Sequence, residues 1–254
     1  MSQMTLTALA DFPLVEPGDS LIELIASALQ ANNQALVEGD VLVLAQKIVS
    51  KAEGRYAYLS DVSVSESAEL LAREVDKDPR LVELILAESA EVVKTRPGVV
   101  IVQHRLGYVH ANAGIDKSNI STDDANPRVL LLPEDSDASA AALRQQIKQR
   151  WGVDVAIIIN DSAGRAWRNG TVGLAIGTAG IEPLENLIGE ADLFGRALEV
   201  TEVAVADELA AAASFMMGQA GEGAPVVIVR GARFNVAEIG STSLIREKSK
   251  DMFR

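Results

Sequence analysis

The chain has no cysteine among its 254 residues. That absence removes disulfides, thiolate nucleophiles and cysteine-ligated zinc or iron–sulfur centres together. Histidine is nearly absent as well, with only His104 and His110. A multi-histidine metal site is therefore unavailable within one chain, and any bound metal is expected to be a hard ion held by oxygen. Positive charge is scarce: Lys and Arg number 23 against 36 Asp and Glu, a net charge of −13. A surface field of that sign repels nucleic acid and anionic membranes. No apolar run approaches the ~20 residues that span a bilayer; the longest, such as Val155-Ala156-Ile157-Ile158-Ile159, are of strand length. The first residues, Met1-Ser-Gln-Met-Thr-Leu-Thr7, contain neither the basic nor the apolar region of a leader. A soluble, cytoplasmic protein without nucleic-acid or membrane partners is expected. The usual phosphate loops and the G-x-S-x-G nucleophile elbow are missing too.

What is present is the composition of a folded enzyme-sized chain, 48% hydrophobic and 23% charged. Ser20 and Glu23 have capping-box spacing and open an apolar-periodic helix to about Ala31. Val41-Leu-Val-Leu44 reads as a buried strand, Ser63 to Glu66 as a second helix start running to Val75, and Asp78-Pro79 as a cap opening a helix to about Ala90. Strands are expected at 99–102, 107–110, 153–159, 171–176 and 226–229. A helix ending at Trp151 with Gly152 behind it, and an Ala-rich helix over 206–217 stopped by Gly218, complete the pattern. Helices and strands alternate irregularly, which implies a mixed α/β (α+β) architecture, read as one unit over residues 1–254 with two lobes.

Polar residues gather at the expected ends of the apolar strands, where ligands bind in α/β sheets. Ser50-Lys51-Ala-Glu53-Gly54-Arg55 offers a lysine able to reach a phosphate, and equally describes a solvated turn. Asn112-Ala-Gly-Ile-Asp116-Lys-Ser-Asn119 combines a carboxylate with amides near a glycine, suited to a metal and a nucleotide or to a simple Asx-turn. Asn160-Asp161-Ser162-Ala-Gly164-Arg165-Ala-Trp167-Arg168 follows the most apolar strand. Asp161 with Ser162 is a partial shell for Mg²⁺ or Mn²⁺, and Arg165 and Arg168 are spaced to bracket an anion. The alternative there makes Asp161 a helix cap and Trp167 a core residue. A glycine-rich loop, Met217-Gly-Gln-Ala-Gly-Glu-Gly-Ala224, lets backbone N–H groups approach a ligand, and is equally a helix cap and surface loop.

Taken with Phe12-Pro-Leu-Val15-Glu-Pro-Gly-Asp19, Gly39-Asp40-Val-Leu-Val43, Leu131-Leu-Pro133, Gly195-Arg196, Ala206-Asp-Glu208 and Pro225-Val-Val-Ile-Val-Arg-Gly231, these segments resemble the coenzyme F420-0:L-glutamate (γ-glutamyl) ligase family, in order and over nearly the whole chain. The resemblance implies a GTP-dependent ligase that adds L-glutamate to coenzyme F420-0 and extends a γ-linked oligoglutamate tail on F420-n through an acyl phosphate, releasing GDP and phosphate. It also implies an intertwined homodimer, in the form without an appended nitroreductase-like domain. By the same resemblance, GTP contacts fall on Phe12, Pro13, Leu14, Val15, Gln46, Lys47, Lys51, Asn119 and the loop of Met217, Gly218, Gln219, Ala220, Gly221, Glu222, Gly223 and Ala224. Two Mg²⁺ or Mn²⁺ ions fall on Asp116, Asp161, Ser162 and Gln219, with K⁺ as a further ion. The chain departs from the family pattern at Gln46-Lys47, where Ser-Thr or Ser-Lys is frequent, at Ser162 in place of Thr, and at Gln219 in place of an acidic residue. An amide ligase of this architecture with another acid acceptor, or a non-catalytic nucleotide-binding module, are the alternatives. Phosphoryl transfer asks a protein for positioning and charge neutralisation, so neither cysteine nor catalytic histidine is required.

Overall fold

The two most apolar stretches of the sequence pair with each other. In the computed structural model, which describes residues 3–123 and 125–253, the chain begins with β1 (Thr5–Ala8), α1 (Leu21–Ala31), β2 (Val41–Ala45) and α2 (Gln46–Ala52). Its middle holds β3 (Tyr56–Tyr58), α3 (Glu66–Val75), α4 (Pro79–Ala87), β4 (Ser89–Arg96), β5 (Val99–His104), β6 (Val109–Ala111) and β7 (Arg128–Leu130). Then follow α5 (Ser136–Trp151), β8 (Ala156–Arg165), β9 (Arg168–Ala179), β10 (Glu185–Asn186), β11 (Glu202–Val203), α6 (Val205–Met217) and β12 (Val226–Arg230). The mixed α/β class is the one expected. Among the described residues no helix is long and apolar enough to cross a membrane.

The main sheet has the order β1-β12-β2-β8-β9. Only β2 and β8 run parallel, in register from Val41 opposite Ala156 to Ala45 opposite Asn160. Both faces of this pair are buried, which is why the strands read as unbroken apolar runs. Leu42, Leu44, Ile157 and Ile159 face the core made with α1, α2 and α5. Val41, Val43, Ala156 and Ile158 face α6. A separate cluster, centred on Val75, Ile85, Val100 and Val102, is built from the middle of the chain, where β4, β5 and β6 form an antiparallel sheet.

Two glycines decide how closely the helices lie on β9. A Cβ at Gly173 would sit 2.5 Å from the Ala210 carbonyl oxygen of α6, and one at Gly177 would sit 2.5 Å from the Ser136 carbonyl oxygen of α5. Between them β9 carries a bulge: Ile159 pairs with Gly177 but Asn160 pairs with Ala175, leaving Ile176 over. β9 is the outer strand of the sheet, and side chains satisfy its open edge. The Ile176 oxygen accepts from the Tyr108 hydroxyl (2.5 Å) and Ser241 Oγ (3.0 Å). Asp207 Oδ1 accepts from Ala175 N (2.9 Å), and Asp137 Oδ1 from Thr178 N (2.8 Å).

Several boundaries differ from the sequence expectation. β8 does not end at Asn160-Asp161-Ser162 but runs on to Arg165 and turns straight back into β9. Ser65, not Ser63, caps α3, accepting from Ala68 N. α4 stops at Ala87, and the next residues leave it for β4, whose alternating exposure marks a half-buried strand. Ser20 occupies the N-cap of α1 without a side-chain bond. Asp78 and Gly152 take the cap positions expected of them.

Arg55 belongs to this framework. Its Nε donates to the Leu132 oxygen (2.9 Å) and its Nη2 to Glu88 Oε2 (3.0 Å), which also lies 3.3 Å from Arg105 Nε and 3.4 Å from His104 Nε2. Burial works to raise the Glu88 carboxyl, but His104, Arg55 and Arg105 outweigh it and hold it at about 2, below the ordinary 4.5. The stabilisation from this depressed carboxyl is present above pH 4.5 and lost as pH falls toward 2. Glu88→Gln is expected to cost about 2 kcal/mol at neutral pH, with the gap to the parent narrowing below pH 4; urea unfolding at pH 7 and pH 3 measures both. Gly173→Ala is expected to cost ~1–3 kcal/mol by overpacking, read as a lowered thermal midpoint.

Candidate active site

The cleft lies where the parallel pair ends. Beyond the last matched residues, Ala45 and Asn160, β2 passes into α2 and β8 presents Asp161 and Ser162, the position at which α/β sheets bind ligands. The cavity there is about 490 Å³, within the ~300–1,000 Å³ common for small-molecule sites. Phe12, Pro13, Leu14 and Val15 form one wall, residues 217–225 another, and Gln46, Lys47, Lys51, Asn119, Asp161 and Ser162 the floor. Every residue expected to contact nucleotide therefore borders this one cavity. Asp116 stands behind it, joined through Gln46 and Lys47. Arg165 and Arg168 do not reach the cleft; they face each other at the tip of the β8–β9 hairpin. Asp161 is in mid-strand rather than capping a helix, and Trp167 is 86% exposed rather than core.

The first turn of α2 holds Asp116. Gln46 Nε2 donates to Asp116 Oδ2 at 2.7 Å and Lys47 Nζ pairs with the same oxygen at 2.8 Å. Ser50 Oγ, one helical turn on, donates to Gln46 Oε1 (2.9 Å) and fixes that amide. The Asp116 backbone is anchored independently: its N–H and C=O exchange 2.9 Å bonds with Leu130. Just before it Asn112, Ala113 and Gly114 are all left-handed, with φ of 52°, 54° and 68°. The alanine is buried, and packing holds it in a conformation that costs an L-residue ~1–2 kcal/mol.

Asp161 is only 7% exposed. Its Oδ1 accepts from Ser162 N at 2.8 Å, and its Oδ2 lies 3.3 Å from His110 Nε2. Burial pushes its carboxyl up, His110 opposes that shift, and the charge of Asp116 adds to it. Next to it Asn160 is buried with Oδ1 lacking any hydrogen-bond partner. Gln219 Nε2 donates to Ser214 Oγ (2.9 Å), so its Oε1 is left over as an acceptor. Among the described residues no three His, Cys, Asp or Glu side chains converge. The donor set is thus two mutually repelling carboxylates plus neutral oxygens, a set that fits a hard cation.

Lysine and asparagine tie the two sides of the cleft together. Lys51 Nζ donates to the Asn119 oxygen (2.7 Å), and Asn119 Nδ2 donates to the Ala220 oxygen (2.9 Å). Burial lowers the Lys51 pKa, Glu16 opposes, and Lys47 and Arg128 add to the lowering. The glycine-rich loop is tethered at its far end by Phe12 N to the Gly223 oxygen (3.3 Å) and Ala45 N to the Pro225 oxygen (2.8 Å). A family model described as F420-0:gamma-glutamyl ligase matches residues 10–231. The chain belongs to this family. It is 44% identical to the coenzyme F420:L-glutamate ligase of Methanothermobacter thermautotrophicus over 253 residues, covering 99% of each chain. It is 45% identical to that of Methanopyrus kandleri, over 94% of this chain and 93% of the relative. The corresponding protein of Methanocaldococcus jannaschii is 41% identical over 96% and 94%.

Two site residues of this family member had no sequence signal. His110 reaches Asp161 because β6 and β5 bring it there, and nothing local to it announces a role. Asn160 lies inside a polar strand end that gives no local sign of its burial or of its unpartnered Oδ1 beside the cleft. Asp161→Asn keeps an acceptor for Ser162 N–H while removing a buried charge, so its thermal midpoint is expected to equal or exceed that of the parent; a fall of several degrees would make Asp161 a structural residue.

Proposed function

We propose that the chain joins L-glutamate to coenzyme F420 in an amide bond, with GTP as the energy source. The names of relatives 41–45% identical to it, coenzyme F420:L-glutamate ligases, support the acceptor and the amino acid. The observation that carries the rest is the convergence of residues 12–15, Gln46, Lys47, Lys51, Asn119, 160–162 and 217–224 on one cleft, with Asp116 held against it by Gln46 and Lys47. A carboxylate is a poor acyl donor at neutral pH. The acceptor's carboxylate oxygen attacks the γ-phosphorus of GTP, the bond to the β–γ bridging oxygen breaks, and GDP leaves. The neutral amine of glutamate then attacks the acyl carbon; the C–N bond forms, the C–O bond to phosphate breaks, and a proton is released. Repetition on the γ-carboxyl of the added residue extends the tail on F420-n.

Each step is a matter of position and charge. Lys51 Nζ, now on a backbone oxygen, is the cation offered to a phosphate, with Asn119 beside it. Lys47 is already neutralised by Asp116, so its work is to hold that carboxylate. The 217–224 loop and residues 12–15 enclose base and ribose. Asp116, Asp161, Ser162 and Gln219 hold Mg²⁺ or Mn²⁺, two ions when both are bound, and the neutral Gln219 makes the second weaker. Such ions offset phosphate charge and orient the phosphoryl group; K⁺ is the further ion. The bare exposure of Leu193 (99%), Phe194 and Phe215 supports a homodimer, since large apolar side chains of this kind mark protein contacts. The protein works in the cytoplasm.

Incubation with F420-0, GTP, Mn²⁺ and L-glutamate is expected to give a product heavier by one or more glutamyl units, with matching GDP release. Mass spectrometry of the deazaflavin reads it, and an unchanged mass in the presence of all four components would overturn the proposal. Mn²⁺ is expected to raise the thermal midpoint of the parent and not that of Asp161→Asn, whose turnover falls at least ~100-fold.

A further inference from the structure

The open edge of β9 borders a second cavity, about 230 Å³, separate from the cleft. Its lining includes Tyr108 and His110, Ala175 of β9, Asp207 of α6, and Arg246 and Asp251 from the end of the chain. Nothing in the reaction as derived above uses Asp207 or Arg246. Asp207 accepts one hydrogen bond, through Oδ1 from Ala175 N at 2.9 Å; its Oδ2 has no partner among the described residues. Capping a backbone N–H needs an oxygen, not a charge, and an amide or hydroxyl would serve. The carboxyl is partly buried, and burial pushes its pKa up, the direction that an adjacent cation relieves. Arg246 is exposed and forms no ion pair with a described residue, so the lining carries one guanidinium together with the carboxylates of Asp207 and Asp251.

The third observation is the wall. His110 is 7% exposed and lines this cavity, and its buried Nε2 has Asp161 as its charged neighbour without a well-aligned hydrogen bond. That same nitrogen lies 3.3 Å from Asp161 Oδ2, which borders the cleft. Leu174, also in the lining, is the cross-strand partner of Asp161. At Asp161 the cavity and the cleft are therefore separated by the His110 side chain.

We propose that this cavity is the entry site for the amine substrate, an α-amino acid, with its ammonium on Asp207 Oδ2 and its carboxylate on Arg246. The inference rests on the ligase reading. An amine that attacks an acyl phosphate must approach from a side the nucleotide does not fill, and this cavity adjoins Asp161 from such a side. At less than half the volume of the cleft, it takes a single amino acid and excludes a nucleotide or a deazaflavin. Asp207 and Arg246 on one cavity offer charges complementary to the two that every α-amino acid carries, and Asp251 adds a second carboxylate to the lining.

Asp207→Asn separates the two roles of this side chain, because it keeps an oxygen for Ala175 N–H and removes the charge. At saturating GTP and acceptor, the KM for L-glutamate is expected to rise at least ~10-fold, or about 1.4 kcal/mol, with GTP affinity by titration and the thermal midpoint at parent values. Arg246→Gln is expected to raise the KM for L-glutamate but not for its α-amide, which lacks the carboxylate. Unchanged L-glutamate KM values in both variants would overturn the assignment. So would a lowered midpoint with unchanged KM in Asp207→Asn, which makes Asp207 only a cap. Should the parent prove unable to ligate F420, the ligase reading fails on its own. Calorimetric titration of L-glutamate into parent and Asp207→Asn then decides the cavity: binding lost in the variant upholds it, and equal or absent binding overturns it.

Discussion

The parallel register of β2 and β8 is the constraint on which the site depends. Those strands match from Val41 opposite Ala156 to Ala45 opposite Asn160, and both stop being core at the same level. On one strand the next residues are Gln46 and Lys47, and on the other Asp161 and Ser162. A slip of one residue would turn every side chain of β8 to the opposite face. Asp161 would then point at α6, and the apolar residues that now bury the sheet would lose their partners. The same burial that stabilises the sheet thus fixes where a carboxylate, an amide and a hydroxyl emerge from it.

The framework then spends conformational strain and close approach to keep those groups in place. Three successive left-handed residues deliver Asp116 to the first turn of α2. Two glycines let α5 and α6 settle against opposite faces of β9, and the end of α6 sets where the glycine-rich loop begins. The bulge at Ile176 falls level with Asn160, so the strand that backs the site changes its pairing where β8 passes from core to chemistry. Bulges are common beside active sites for this reason.

Much of this was legible in the sequence because local chemistry and long-range placement agree. Apolar runs ending in Asp161-Ser162 or leading into Gln46-Lys47 are strand ends with polar residues, and the glycine-rich loop follows a helix stop. The readings that failed did so where local signals were silent or misleading. Ser162-Ala-Gly164 looks like a turn, yet pairing with β9 carries β8 through it to Arg165. The helix from Asp78 has no breaker near Ala90, yet it ends at Ala87, where the chain turns into β4. α2 was not foreseen because only seven residues form it, starting without a side-chain cap. His110 and Asp207 acquire neighbours solely through topology: one lies on β6, the other on α6, and no spacing in the chain relates either to Asp161.

The chain of bonds from Lys51 through Asn119 to Ala220 spans the cleft. It has a consequence for selectivity. A ligand that recruits the Lys51 ammonium must outcompete a well-placed carbonyl oxygen, while the separate bond from Asn119 Nδ2 still ties that residue to the loop. A neutral guest offers the ammonium no more than it already has, whereas a multiply charged phosphate offers a good deal more. A guest of low charge therefore gains little by displacing that oxygen, and the gain grows with the negative charge the guest brings to Lys51.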